Sequence, residues 1–225
     1  ETEQGRKQIL KDVSFTIDSP FTVITGPNGG GKSTLAKIIS GIYTPDSGKI
    51  YFNGQDITDL GVTERARLGV SYAFQTPVRF KGITVSDILK IAAGRDLSVS
   101  EACEYLSNVG LCARDYLDRE INNSLSGGEL KRIEIATVLA RKTPLAVFDE
   151  PEAGIDLWSF HRLTNTFREL HEDSGCTLII ISHQERIINQ ADEVLLIADG
   201  KLKQRGQPED ILPSIDAVFD KKCLD

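Results

Sequence analysis

Nine residues, "GPNGGGKST" (26–34), hold the densest chemistry in the chain. Gly26, Gly31, Lys32 and Ser33 fill the fixed positions of GxxxxGK[ST], with Pro27, Asn28, Gly29 and Gly30 between them and Thr34 after them. Glycines in this pattern let successive backbone N–H groups curl round an anion. A helix starting near Lys32 adds the partial positive charge of its N-terminus. Lys32 supplies a point charge for β- and γ-phosphates, and the Ser33 hydroxyl is a ligand for Mg²⁺. The apolar "FTVIT" (21–25) before the loop and "KSTLAKIISGI" within and after it predict the strand and helix such a loop needs. The segment is expected to bind a nucleoside triphosphate.

A second group of polar residues sits at the ends of apolar runs. "LAVFDEP" (145–151) reads as a buried strand that ends in two carboxylates. Asp149 is placed to contact Mg²⁺ and Glu150 to act as general base on the attacking water. Gln75 ends "SYAF" and could touch both metal and water; His183 follows "TLIIIS" and could bond the γ-phosphate or its nucleophilic water. A lone Gln or His at a strand end is ordinary. Their order behind a phosphate loop makes them candidates for catalysis.

The third stretch is "LSGGE" (125–129). Ser126 and Glu129 have the spacing of a capping box, so a helix starts here. Yet Gly127 and Gly128 occupy its first turn, and a glycine inside a helix costs roughly 1 kcal/mol against alanine. Free N–H groups beside residues without side chains form a second anion site. Because the phosphate loop already holds one γ-phosphate, the economical inference is a nucleotide held by another copy of the chain. The alternative is a capping box with incidental glycines. Leu130, Ile133, Thr137 and Ala140 give the helix one packing face.

These residues need a scaffold that alternates strands and helices. "LKDVSFTID" (10–18) alternates like a half-buried strand, and "GKIYFNGQDI" (48–57) and "GVSYAFQ" (69–75) read as further strands. From Thr84 to Arg141 the pattern is mostly helical, with starts at Thr84, Ser98 and Ser126. Apolar runs return at 145–149, 177–182 and 194–199, with a helix over 157–172 between the first two. Such continuous runs suit parallel strands covered on both faces, so the fold class is α/β. One domain is expected over 1–225, its core formed by 1–75 and 142–225 and its helical subdomain by 76–141.

A net charge of −7 disfavours a broad nucleic-acid surface. No apolar run approaches the ~20 residues of a membrane span, and no secretory signal is evident, so a cytoplasmic location is expected. Cys103, Cys112, Cys176 and Cys223 lack metal-ligand spacing and read as ordinary thiols.

"LSGGE" between the phosphate loop and "LAVFDE", with Gln75 and His183 in matching order, resembles the ATP-binding cassette (ABC) ATPases. The resemblance implies a P-loop NTPase core of ABC type, with an inserted helical subdomain and an antiparallel β subdomain. It implies ATP and Mg²⁺, and an ATP-dependent head-to-tail homodimer in which Ser126, Gly127 and Gly128 of one copy meet ATP held by the other. "AGID" (153–156) matches the family's D-loop and makes Asp156 a cross-subunit contact. The aromatic residue on which the family stacks adenine has no counterpart in "ETEQGRKQIL". The segment "FQTPVRFKGITVSDIL" (74–89) resembles the SufC-like ATPases of iron–sulfur cluster assembly, which implies Suf-type scaffold partners. Pro151 and Glu152 instead give the "DEP" spelling commoner in transporter cassettes. The alternative is the nucleotide-binding subunit of a membrane ABC transporter, peripheral to the membrane and partnered by transmembrane permease subunits.

Overall fold

Strand β1 (Phe21–Thr25) is buried at every position and leads through the glycine loop into helix α1 (Lys32–Ile39). The computed structural model describes residues 8–173 and 175–220. After α1 come β2 (Tyr51–Phe52), β3 (Gln55–Asp56), α2 (Val62–Arg67) and β4 (Val70–Ala73). Four helices follow: α3 (Val85–Ala93), α4 (Val99–Asn108), α5 (Ala113–Tyr116) and α6 (Gly127–Arg141). The chain then alternates through β5 (Leu145–Asp149), α7 (Leu157–Asp173), β6 (Thr177–Ile181) and α8 (Glu185–Ile188). It ends in β7 (Glu193–Ala198), β8 (Lys201–Gly206) and α9 (Pro208–Asp220).

Six strands form a mixed sheet in the order β4-β5-β6-β1-β7-β8, and β2 and β3 form a separate antiparallel pair. The fold is α/β, as expected. The chain divides into two compact units, one comprising residues up to Leu68 together with those from Ile179 onward, the other Gly69–Leu178.

In the first unit β1 pairs in parallel with β7, Val23 opposite Val194 and Thr25 opposite Leu196. The Asp192 carboxylate fixes the entry to this ladder by accepting the Phe21 N–H at 2.9 Å. Beneath α1 lies Arg65, only 1% exposed. Its guanidinium donates to the carbonyls of Ile38, Ile39, Thr58 and Leu60 at 2.6–3.0 Å. Ile38 and Ile39 close α1, where carbonyls have no intrahelical partner and the helix dipole is negative, so a cation there satisfies both demands.

In the second unit the helix starts are where the sequence puts them. Thr84, Ser98 and Ser126 each cap a helix and each completes a capping box. Helix α6 departs from expectation. It is buried not on one face but nearly all round, through Leu130, Lys131, Ile133, Ile135, Ala136, Val138, Leu139 and Ala140. It packs against α3, α4 and β4, and a helix so enclosed shows little amphipathic periodicity.

Two other expectations are corrected, and one strand was not anticipated. Residues 10–18 form no strand; Val13, Phe15 and Ile17 are half-buried in alternation, but Asp12 turns at φ 53° ahead of them and the stretch joins neither sheet. Residues 48–57 are not one strand but a hairpin turned at Asn53-Gly54 (φ 49° and 79°), the dipeptide that favours such a turn. Strand β8, "KLKQRG", has too many charges to read as a strand, and it lies at the sheet edge, where charge protects against mispairing. Of the cysteines, Cys103, Cys112 and Cys176 are free thiols, and burial pushes the Cys176 thiol up to about 11; Cys223 lies outside the described residues.

Arg65→Met keeps most of the apolar stem but removes the side-chain donor from the Ile39, Thr58 and Leu60 carbonyls, leaving Ile38 O with the Gly41 N–H at 3.1 Å. It is expected to lower stability by about 3 kcal/mol, or roughly 6–12 °C in melting temperature. A thermal melt matching wild type would remove Arg65 from this supporting role.

Candidate active site

The first unit carries the phosphate loop. Gly26 takes φ 134°, and a Cβ there would collide with the carbonyl oxygen of Ile197 in β7. Gly31, at φ 106°, is the residue before α1, and its Cβ would lie 2.7 Å from Leu10 Cδ2. The loop backbone is thus pressed between β7 and the segment preceding β1, at positions only glycine can occupy. Lys32 is buried, and its Nζ donates to the carbonyls of Gly26 at 2.7 Å and Pro27 at 3.0 Å. A curled glycine backbone with an ammonium inside it at a helix N-terminus fits a phosphate chain. His183 follows β6 in the same unit. Ser182 N–H donates to Ile24 O at 3.3 Å, so His183 leaves the sheet beside the strand that feeds the loop, and its side chain is exposed.

The second unit carries the carboxylates, and strand register explains their meeting. β4 and β5 are parallel, with Ala73 opposite Phe148. Gln75 and Glu150 each lie two residues beyond that level, and Gln75 Nε2 donates to Glu150 Oε2 at 2.7 Å. Asp149, fully buried, ends β5 and accepts from the Tyr72 hydroxyl at 2.8 Å. Glu150 then leaves the strand at φ 47°, a left-handed conformation that costs a non-glycine residue on the order of 1–3 kcal/mol. Such strain persists where neighbours over-determine it, which is common at functional sites.

Ser126 caps α6 as the spacing requires: its Oγ accepts from Glu129 N–H at 3.3 Å while Glu129 Oε2 accepts from Ser126 N–H at 2.7 Å. The Tyr116 hydroxyl also donates to Glu129, and together with Ser126 it holds this carboxyl down to about 2. The two glycines differ. A Cβ on Gly128 would collide with the carbonyl oxygen of Gly154, whereas one on Gly127 meets nothing within 4 Å. The "AGID" turn therefore lies against the start of α6. Asp156 caps α7, accepting from Trp158 N–H at 3.1 Å and from the N–H and hydroxyl of Ser159 at 3.0 and 2.7 Å. Arg132 bridges the same parts through Ser159 Oγ at 2.7 Å and Gly128 O at 3.3 Å.

Residues that sequence reasoning passed over complete the second unit's site. Tyr72 faces Asp149, and its alternation within β4 was the available signal. Lys131, 1% exposed, donates to Phe74 O and to Asp149 O at 3.2 Å. Glu134 accepts Phe74 N–H at 2.9 Å and faces Lys131 Nζ at 3.6 Å. Burial pushes the Lys131 ammonium's pKa down and the Glu134 carboxyl's up, each opposed by the other's charge. Both resemble solvated helix residues in sequence.

A family model described as "ABC transporter" matches residues 10–153. An uncharacterized ABC transporter ATP-binding protein of Methanocaldococcus jannaschii is 42% identical over 217 residues, covering 92% of this chain and 86% of its own. A probable branched-chain amino acid transport ATP-binding protein, LivG, of Archaeoglobus fulgidus is 35% identical, covering 88% of this chain and 84% of its own. Among solved structures, the fold is similar to the dimeric post-hydrolysis state of the ATP-binding cassette MJ0796 bound to ADP and Pi. That likeness has a TM-score of 0.80 at 24% identity, over 89% of this chain and 90% of the other.

The asymmetry of the glycine pair is measurable. Gly128→Ala is expected to lower stability by about 2 kcal/mol through overpacking against Gly154. Gly127→Ala is expected to leave it unchanged or raise it by up to about 1 kcal/mol. Equal melting temperatures for the two variants would show that the 154 turn does not press on Gly128.

Proposed function

The chain belongs to the ABC transporter family and is an ATPase, and from that premise we infer that it is the ATP-binding subunit of a membrane transporter. The observation that carries the catalytic reading is the Gln75–Glu150 contact set by strand register beside the buried Asp149. In this reading Gly26–Thr34 wrap the phosphates, with Pro27, Asn28, Gly29 and Gly30 presenting backbone and Lys32 supplying charge to the β- and γ-phosphates. Each unit carries oxygens that would suit Mg²⁺: the Ser33 alcohol in the first, the Asp149 carboxylate and the Gln75 amide oxygen in the second. Bound there, the ion would neutralise phosphate charge. Glu150 takes a proton from the attacking water. The Gln75 amide, which donates to Glu150 here, orients that carboxylate, and His183 bonds the γ-phosphate.

A homodimer follows from the glycine pair. Gly128 has a reason within its own chain, the close approach of Gly154, but Gly127 faces open space. A glycine kept at an exposed first helical turn suits a ligand approaching from outside, and the second copy's nucleotide is that ligand. Ser126 and Gly128 would then lie against the same phosphate. Asp156, engaged within its own chain, contributes to the seam by shaping the 153–156 turn. Of residues 1–10, where the family resemblance puts the adenine contact, 1–7 lie outside the described residues, and Ile9 and Leu10 pack beside Gly31.

Transport is favoured over iron–sulfur assembly because the relatives' names refer to ABC transporters or transport, including a branched-chain amino acid system. None of the described helices is long and apolar enough to cross a membrane, and this reading assigns the spans to permease chains at the cytoplasmic face of which the subunit sits. Suf-type scaffolds are the partners under the second reading, which rests on the 74–89 segment. Nucleic acid is a partner in neither.

Glu150→Gln is expected to bind Mg-ATP as wild type does while turnover falls by about 10²–10⁴, the usual contribution of a general base. Turnover at the wild-type rate would take Glu150 out of that role. Purification of the tagged full chain from its native cells in mild detergent is expected to bring down a stoichiometric integral membrane protein. A soluble scaffold recovered in its place would reverse the choice in favour of cluster assembly.

A further inference from the structure

Lys131 and Glu134 lie one turn apart near the start of α6, both away from solvent, and both reach the backbone of one residue. Lys131 donates to Phe74 O and Glu134 accepts Phe74 N–H at 2.9 Å. Lys131 also donates to Asp149 O at 3.2 Å. Phe74 directly precedes Gln75, and Asp149 directly precedes Glu150. The β4/β5 ladder stops at Ala73 and Phe148, so it no longer holds the residues that follow.

Stability alone does not explain such a pair. Burying two charges is costly, and apolar residues of similar size often do as well or better. What apolar residues lack is directionality. Lysine only donates and a carboxylate only accepts, so the pair grips the N–H and C=O of Phe74 with fixed polarity. It also ties that residue to the carbonyl of Asp149. Beyond that point the Glu150 backbone adopts its strained φ of 47°, a conformation that needs its surroundings to hold it.

We propose that Lys131 and Glu134 are positioning residues for ATP hydrolysis. They fix the relative placement of Gln75 and Glu150 where the ladder ends, and they tie that placement to the helix capped by Ser126. The proposal rests on the reading of Gln75 and Glu150 as the hydrolytic pair. A displacement of α6 by whatever meets Ser126 and Gly127 would then pass directly to the residues that handle the water.

Three variants of the full chain test this: Lys131→Met with Glu134→Gln, the swap Lys131→Glu with Glu134→Lys, and Glu150→Gln in parallel. Readouts are melting temperature, Mg-ATP affinity, and kcat and KM for ATP. The neutral double variant leaves no unpaired buried charge, and the side-chain amide it places on α6 still has an oxygen to accept the Phe74 N–H. It is expected to keep ATP affinity and KM within about twofold while kcat falls at least tenfold, about 1.4 kcal/mol of barrier. The swap restores an ion pair with reversed polarity toward Phe74, and its kcat is expected to stay at least tenfold down. Wild-type kcat in the neutral variant, or rescue of kcat by the swap, would overturn the proposal. A lower melting temperature is expected from the Phe74 and Asp149 carbonyls left without Lys131; a fall of ATP affinity alongside it would overturn the proposal, since that marks general collapse. Should the swap fail to fold, the neutral variant decides alone. An inactive Glu150→Gln beside a fully active neutral variant sinks this proposal and spares the catalytic reading. A fully active Glu150→Gln sinks both.

Discussion

Two parallel strands must end level with each other, and the Gln75–Glu150 contact of the second unit depends on that constraint. With Ala73 opposite Phe148, equal two-residue extensions bring Gln75 and Glu150 within hydrogen-bond reach. A slip of one residue would turn every side chain of β4 to the opposite face and carry Tyr72 away from Asp149. The register is pinned by burial: all five positions of β5 and three of the four in β4 are closed to solvent. Away from the polar ends, the Thr143 hydroxyl donates to Ser71 Oγ at 2.8 Å, and Phe148 meets Phe167 edge-on at 5.0 Å. Ligands of open α/β sheets bind beyond the carboxyl ends of strands, and Gln75, Asp149 and Glu150 all stand at such ends.

The first unit meets a related demand by other means. Its helix α1 has eight residues, a length that has little stability of its own. At the N-terminal end, the loop is molded against Ile197 and Leu10 by glycines that admit no side chain. At the other end, Arg65 gathers the last carbonyls of the helix together with those of Thr58 and Leu60. Held at both ends, the helix keeps its positive pole at the loop, where Lys32 already lies against the Gly26 and Pro27 carbonyls.

What could be read from sequence was mostly local. Three capping boxes, each spanning four residues, gave three helix starts correctly, because their hydrogen bonds close within one turn. The phosphate loop and the carboxylate pair were likewise visible in short stretches with apolar flanks. Failures came where the deciding partner was distant or the local signal was misweighted. Asn53-Gly54 was in plain view and 48–57 read as strand with glycine punctuation, yet the turn was not placed there. The charges of β8 make sense only once it is known to be an edge. Lys131 looks like the polar side of a helix; nothing in "ELKR" announces that two strand ends lie beside it. The glycine pair shows the same limit in miniature, since Gly127 and Gly128 are identical in sequence and only the position of Gly154 separates their demands.

Arg65 and Lys131 share a physical logic. Each is a buried cation whose hydrogen bonds go to backbone carbonyls left over where an element stops: α1 and its neighbouring turn for Arg65, β4 and β5 for Lys131. An abrupt stop is what a chemical site requires, because the residues beyond it must leave the regular ladder to face a substrate. Abrupt stops orphan carbonyls, and an orphaned buried carbonyl costs about 1–3 kcal/mol. Water could satisfy such groups but would open the site to solvent. A cation on a long apolar stem serves several carbonyls at once and keeps the interior dry. In a chain with more acidic than basic residues, Arg65 and Lys131, like Lys32, are placed in the interior against backbone carbonyls and not on the surface to balance charge.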